Sequence, residues 1–323
     1  MSEQHSVHEL RRDMQTPIPA EIATWARGRV GNHLSWALPN DLSGARSWRM
    51  SSSEGIIELR VLRTHGDFQR EVYAHRNAIP HLGAGRAPRL LGFEPRLRAL
   101  LTLEPRGERV DDAPERGLHL MAPVHEQAGQ LLRSLHDSAV RVGDRHAQAV
   151  RNTVLYIDYV DRLLDQIDSS ILDGQRTVIR RRLDVVRERA PQLPSAFCHG
   201  SFGSSCWRWQ RAQRTLVLTG FRRSQMMAAS LDFARPSLLW ADRPQLRAAF
   251  TRGYGRPFNQ LEQRLLNDFA VVATVEDLRN AIRLQDSEAH AYVAVALRAA
   301  MNRLQIPDIA LPTRLVGTEA PPR

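Results

Sequence analysis

Apolar and charged residues alternate from Ile56 to Leu62, the two-residue period of a half-buried strand. A second apolar stretch, Ala99 to Leu103, is short enough for a strand and is broken by Pro105 and Gly107. Beyond that break the period lengthens. Val124, Ala128, Leu131, Leu132 and Leu135 recur at helical spacing, as do Leu261, Leu265, Phe269 and Val272, and Val293, Leu297, Met301 and Leu304. Between these helical stretches Thr215–Thr219 reads as one compact strand. Ala20 to Val30 and Phe68 to Asn77 read as helices, and Pro39 to Glu54, rich in Ser, Gly and Asn, as a loop. The pattern predicts an α+β chain: a polar arm over 1–20, a strand-rich part over 21–104, a larger and mostly helical part over 105–306, and a tail over 307–323 holding four prolines. No internal repeat is visible.

Composition narrows the classes. The 323 residues are 42% hydrophobic, ample for a core, and no apolar run approaches the ~20 residues of a membrane span. Met1-Ser-Glu-Gln-His-Ser lacks the basic and apolar regions of a secretory signal. Two cysteines argue against a disulfide scaffold and fit a reducing, cytoplasmic setting. The net charge is +10, and all 45 basic residues are arginine. They are scattered, with no aromatic-interleaved stripe. The densest run, Arg180–Arg182, shares a helix-like segment with Ile179, Leu183 and Val186 on its other face and reads as a solvated face, which disfavours nucleic acid as a partner.

The candidate chemistry sits in Cys198-His-Gly-Ser-Phe-Gly-Ser-Ser-Cys206 and Val217-Leu-Thr-Gly-Phe-Arg222. These stretches resemble the catalytic and metal-binding loops of the aminoglycoside phosphotransferase family, which carry His-Gly-Asp, four residues, Asn, and later a strand ending in Asp-Phe or Asp-Trp. Further stretches resemble that family in the same order: Ile56–Glu71, Arg86-Ala-Pro-Arg-Leu-Leu91, Ala99–Gly107, Leu131–His136, Asp232-Phe-Ala-Arg235 and Ala249–Arg256. The resemblance implies a two-lobed protein-kinase-like fold, with a small β-rich lobe and a larger helical lobe.

It also implies that the reacting groups have been exchanged. Ser201 stands at the base Asp, Cys206 at the magnesium-binding Asn, and Gly220 at the second magnesium Asp. A hydroxyl has no useful proton affinity near neutral pH, and magnesium takes oxygen donors rather than soft sulfur. The resemblance gives His199, Gly200 and Asp232 scaffold roles in the loop, and His136 a structural role beneath it. Arg60, eleven residues before Glu71, aligns with the lysine that holds nucleotide phosphates, with Leu59 as the competing alignment; Glu71 aligns with that lysine's carboxylate partner or is an exposed helix residue. Arg222 brings positive charge toward the space a metal would occupy. Cys198, His199 and Cys206 could hold zinc or a nucleophilic thiol, against the plainer reading of small buried apolar groups; no second ligand pair is present.

Three functions follow. The first is a catalytically inactive pseudokinase that acts as a binding or scaffold protein for a protein or peptide partner, without cofactor or metal. The second is an atypical enzyme of peptide or natural-product biosynthesis that reuses the cleft, whose arginines suit an acidic or phosphorylated ligand. The third is an ordinary small-molecule phosphotransferase, disfavoured by the exchanged residues and, for polycationic aminoglycosides, by the net charge.

Overall fold

The computed structural model describes residues 18–31, 36–37, 45–52, 54–111, 117–138, 145–167, 171, 173–240 and 242–302. Residues 1–17 of the arm expected over 1–20, the tail over 307–323 and the first part of the loop expected from Pro39 lie outside these residues.

An antiparallel sheet forms the smaller part. Its strands are β1 (Trp36–Ala37), β2 (Ala45–Ser52), β3 (Gly55–Leu62), β4 (Arg89–Glu94) and β5 (Ala99–Leu103), in the order β1-β2-β3-β5-β4. The second half of the loop expected over Pro39–Glu54 is therefore strand β2. Its eight residues pair in full register with β3, and Trp48 and Met50 are buried; the hydrogen-bond ladder and these two side chains outweigh a loop-like composition.

Alternation gives this sheet two unlike faces. Trp48, Met50, Ile57, Leu59, Ala99 and Leu101 pack against Ile22 and Ala26 of helix α1 (Ala20–Val30). The opposite face carries Ser47, Arg49, Glu58, Arg60, Leu62, Leu100 and Thr102. Part of it is covered by Phe68 of helix α2 (His65–Tyr73), which packs with Leu62 and Leu100 and continues as a π-helical turn over Ala74–Ala78.

The larger part is helical: α3 (Ala122–Asp137), α4 (Arg145–Asp165), α5 (Asp173–Arg189), α6 (Ala234–Leu238), α7 (Pro244–Tyr254), α8 (Gln260–Arg283) and α9 (Ser287–Asn302). One apolar core joins α4, α5, α8 and α9; a second joins α3 and α7 to Phe202, Trp207 and Phe221. Helix α8 opens with a capping box, Asn259 accepting from the Glu262 N–H while Glu262 accepts from the Asn259 N–H. Helices α3 and α7 cross at Gly129 and Gly253. A Cβ at Gly253 would lie 2.7 Å from the Glu126 carbonyl carbon, and one at Gly129 would lie 2.7 Å from the Tyr254 nitrogen.

Apart from the strand expected over Thr215–Thr219, the short strands were missed by the hydrophobic pattern. β7 (Ser195–Cys198) pairs with β10 (Gln225–Ala228), and β6 (Glu108–Arg109), β8 (Trp207–Gln210) and β9 (Thr215–Leu218) form a small sheet. These strands hold the candidate loops. Among the described residues no helix is long and apolar enough to cross a membrane.

Candidate functional site

Strand β7 delivers the chain into His199-Gly200-Ser201, and the turn is held from below by one carboxylate. Asp232 accepts the His199 N–H at 2.6 Å and the Gly200 N–H at 2.9 Å. It also accepts His136 Nε2 at 3.2 Å, while His136 Nδ1 meets the Tyr254 hydroxyl at 2.8 Å. Burial pushes the Asp232 carboxyl up, but His136, His199 and the Gly200 N–H outweigh it and hold it below the ordinary carboxylate range. His199 donates from Nε2 to the Thr219 carbonyl at 2.8 Å, joining this turn to the end of β9, and burial lowers its pKa. Gly200 has φ +80°, and a Cβ there would lie 2.9 Å from that of Arg223.

The three exchanged positions meet in space. The Cys206 thiol donates to the Ser201 carbonyl at 3.1 Å. Gly220, at φ +86°, points its missing Cβ at the Cys206 sulfur, 3.5 Å away, and at His199 Cε1, 3.9 Å away. A magnesium ion would find here a hydroxyl, a thiol and a residue with no side chain. Burial pushes the Cys206 thiol up to about 11, so it stays protonated and apolar at neutral pH. The carboxylate whose field reaches this thiol is Asp111, which is buried and faces Arg109 (Nε–Oδ1 3.4 Å). The residues present therefore do not fit the metal pair that phosphoryl transfer requires in this arrangement.

The sequence missed the cations nearest this spot. Arg235 and Arg109 both act on the Cys206 thiol, whereas Arg222 is coupled to Arg223, Asp67, Glu71 and Arg60 instead. Arg235 forms a fork onto Asp277 (2.8 and 3.1 Å) and bonds Glu276 at 3.0 Å. Glu276 is fully buried and also binds Arg223 and the Tyr156 hydroxyl, the latter at 2.9 Å. Burial alone would raise the Glu276 carboxyl; Arg223 and Arg235 bring it below its ordinary range. Only their distant sequence positions, 223 and 235 against 276 and 277, kept these pairs from view.

On the polar face of the small sheet, Arg60 contacts Glu71, which is wholly buried, and Glu58 at 3.2 Å. Glu104, at the end of β5, receives Arg208 at 3.2 Å and lies 4.0 Å from Arg49. Burial and Glu58 raise the Glu104 carboxyl to about 7 despite these arginines. The cleft face of the sheet is thus an ionic mesh in which arginine and glutamate neutralise one another.

His136, Cys198 and Asp232 bring three ligand atoms within 4.8 Å of one another. This is not the Cys198–His199–Cys206 set considered for zinc. The His136 and Asp232 atoms are already hydrogen-bonded to each other, and the Cys198 thiol donates to the Ala228 carbonyl at 3.4 Å. The group is part of the loop's support.

His75 stands behind the mesh, 6.2 Å from the Phe221 ring, and neither ring nitrogen has a hydrogen-bond partner among the described residues. Burial and Arg60 lower its pKa to about 3. Its folded value is below its unfolded value, so the unfolded chain binds the extra proton; the stability it permits is present above pH ~6.5 and is lost as pH falls toward 3. His75→Phe is expected to flatten the loss of stability between pH 6.5 and 4.5 by about 1.4 kcal/mol per pH unit. Urea unfolding across that range measures it; parallel pH profiles for the two proteins would contradict a buried neutral imidazole.

No protein-family model matches the chain, and no curated protein sequence matches it significantly. Solved structures do. A choline/ethanolamine kinase family protein from Mesorhizobium loti superposes with a TM-score of 0.60 at 16% identity, over 92% of this chain and 98% of that one. The macrolide 2'-phosphotransferase MphH from Brachybacterium faecium gives 0.53 at 16% identity, over 87% and 98%. The aminoglycoside phosphotransferase APH(3'')-Id from Streptomyces rimosus gives 0.51 at 16% identity, over 79% and 99%. At this identity the likeness establishes the fold: the chain has the protein-kinase-like architecture these proteins share.

Proposed function

We propose that this kinase-fold chain binds rather than phosphorylates: a pseudokinase whose loops keep their shape and whose cleft and surfaces serve recognition. The observation that carries the reading is the meeting of Ser201, Cys206 and Gly220. The Cys206 thiol spans 3.1 Å to the Ser201 carbonyl and faces the bare Gly220 backbone, where an active site would gather a base and two magnesium ligands. The loop's support by Asp232 is elaborate, yet it serves a turn without reacting groups.

The cleft's chemistry favours an anion as the ligand. Among the described residues Arg222 forms no ion pair for its half-buried guanidinium, whereas Arg60, Arg49 and Arg208 are held by Glu58, Glu71 and Glu104. An acidic or phosphorylated side chain of a peptide partner would meet charge-assisted donors there. The acids Glu276 and Asp277 are already paired with Arg223 and Arg235, which argues against recruitment of a polycationic antibiotic by them.

Calorimetry and product analysis with ATP, with and without magnesium, test the reading. The expected result is no gain in nucleotide affinity on adding magnesium and no phosphorylated product from a panel of hydroxylated compounds and Ser/Thr peptides. Magnesium-dependent nucleotide binding with turnover would overturn it.

A further inference from the structure

The run Arg180-Arg181-Arg182 is not a uniform solvated face. Arg180 is tied to Asp161 (Nε–Oδ1 3.1 Å) and to Asp165 on α4. Arg187, two turns on, is tied to Asp158 at 2.9 Å and to Asp184. Arg182 turns inward to Asp268 at 2.7 Å and to the Met301 carbonyl at 3.3 Å. Arg181 and Arg189 point elsewhere. With Arg264 of α8 they line a groove of about 570 Å³ between α5 and α8, floored by Val185, Leu261 and Leu265.

The charges in this groove are unbalanced. Its one carboxylate, Asp268, is spent on Arg182. Among the described residues Arg181 has no ion-pair partner, while Arg189 and Arg264 meet only the neutral amides of Gln192 and Gln260, each at 3.3 Å. Three guanidinium groups therefore face one concavity without a counter-charge, while on α5 Arg180 is held by two aspartates and Arg187 by three. Guanidinium groups beside an apolar floor suit a ligand that offers carboxylates and aliphatic side chains together.

We infer that this groove is a docking site for an acidic, leucine-rich segment of a partner protein. A nucleic acid fits it less well. No aromatic ring lines the groove for a base to stack on. The groove shares no residue with the cleft positions described above.

The test uses the full chain and a fluorescein-labelled twelve-residue peptide of alternating Glu and Leu pairs, read by anisotropy. Two probes accompany it: the same peptide with every Glu replaced by Gln, and an oligothymidylate of equal charge. The expected result is saturable binding of the acidic peptide that weakens with salt, at least about tenfold weaker binding of the Gln peptide, and at least about tenfold loss on Arg181→Glu/Arg264→Glu. Both arginines are exposed, so the double variant should melt with the parent, and a melt confirms that it is folded. Equal peptide binding by parent and double variant, or none by the parent, overturns the inference. Tighter binding of the oligothymidylate, lost in the same variant, overturns it in favour of nucleic acid.

Discussion

Gly253→Ala is expected to remove a large share of the stability of the larger lobe. The glycine sits where α7 crosses α3, and an added Cβ would lie 2.7 Å from the Glu126 carbonyl carbon and 3.1 Å from the Gln130 nitrogen. These are backbone atoms of a helix, so no side chain can swing aside. The matching glycine, Gly129, brings α3 equally close to Phe250 and Tyr254, so the two helices share one contact rather than two adjustable ones. Extra methyl groups in packed cores cost about 1–3 kcal/mol when side chains can shift. With rigid backbone opposite, the loss should reach or pass the top of that range, against a total of about 5–15 kcal/mol for a typical domain. Gly174→Ala supplies the contrast. That position lies in α5 with nothing within 4 Å of the added atom, so alanine there should be neutral or stabilise by about 0.5–1 kcal/mol. Urea midpoints of the two variants decide the matter; similar midpoints would mean that the crossing is looser than described.

Asp232→Ala should be nearly as damaging, and its cost should fall on folding rather than on any reaction. The carboxylate is the acceptor for two consecutive main-chain N–H groups and for His136, all in a buried setting. Its removal leaves the His199 and Gly200 donors without a partner and frees His136 from its neighbour. Breaking a buried charged contact in this way costs about 3–5 kcal/mol. Asp232→Asn keeps one acceptor oxygen but turns an amide NH2 toward donors, so an intermediate loss is expected. The folded pKa is depressed, so the contribution is present above the ordinary aspartate value near 3.8 and is lost as pH falls through the folded value. Hydrogen exchange at the amides of residues 199 and 200, read beside global unfolding, is the measurement. Unchanged protection of both amides in the alanine variant would show that the turn is held by something else.

How much of this was legible beforehand depended on range. Strand β3 announced itself through Ile57, Leu59 and their charged neighbours, because a half-buried strand writes its period locally. The helices α3 and α8 did the same through stripes such as Val124–Leu135 and Leu265–Val272. Strand β2 did not, since Ser47, Arg49 and Ser51 dilute Trp48 and Met50, and its identity comes from its pairing with β3. Of the two- and four-residue strands around the candidate loops only β9 was apolar enough to be read; β6, β7, β8 and β10 are too short to show a period. In the site, the exchanged residues 201, 206 and 220 could be found by their order along the chain. The arginines that act on Cys206 could not, because Arg109 arrives from β6 and Arg235 from the start of α6, and only folding brings them together. Arg222, in the short helical turn over Phe221–Arg223 next to Gly220, feels the carboxylates Asp67 and Glu71 of α2, which lie far from it in the sequence.

The chain's two thiols are shared out between its two large cores. Cys198 packs among the residues of α4, α5, α8 and α9, and Cys206 among those of α3 and α7. Burial raises both thiols above the ordinary cysteine value, so an electrophile in solvent reaches neither while the protein is closed. Each sulfur is therefore a clock for its own half of the helical lobe: the order in which the two are alkylated records which core breathes first.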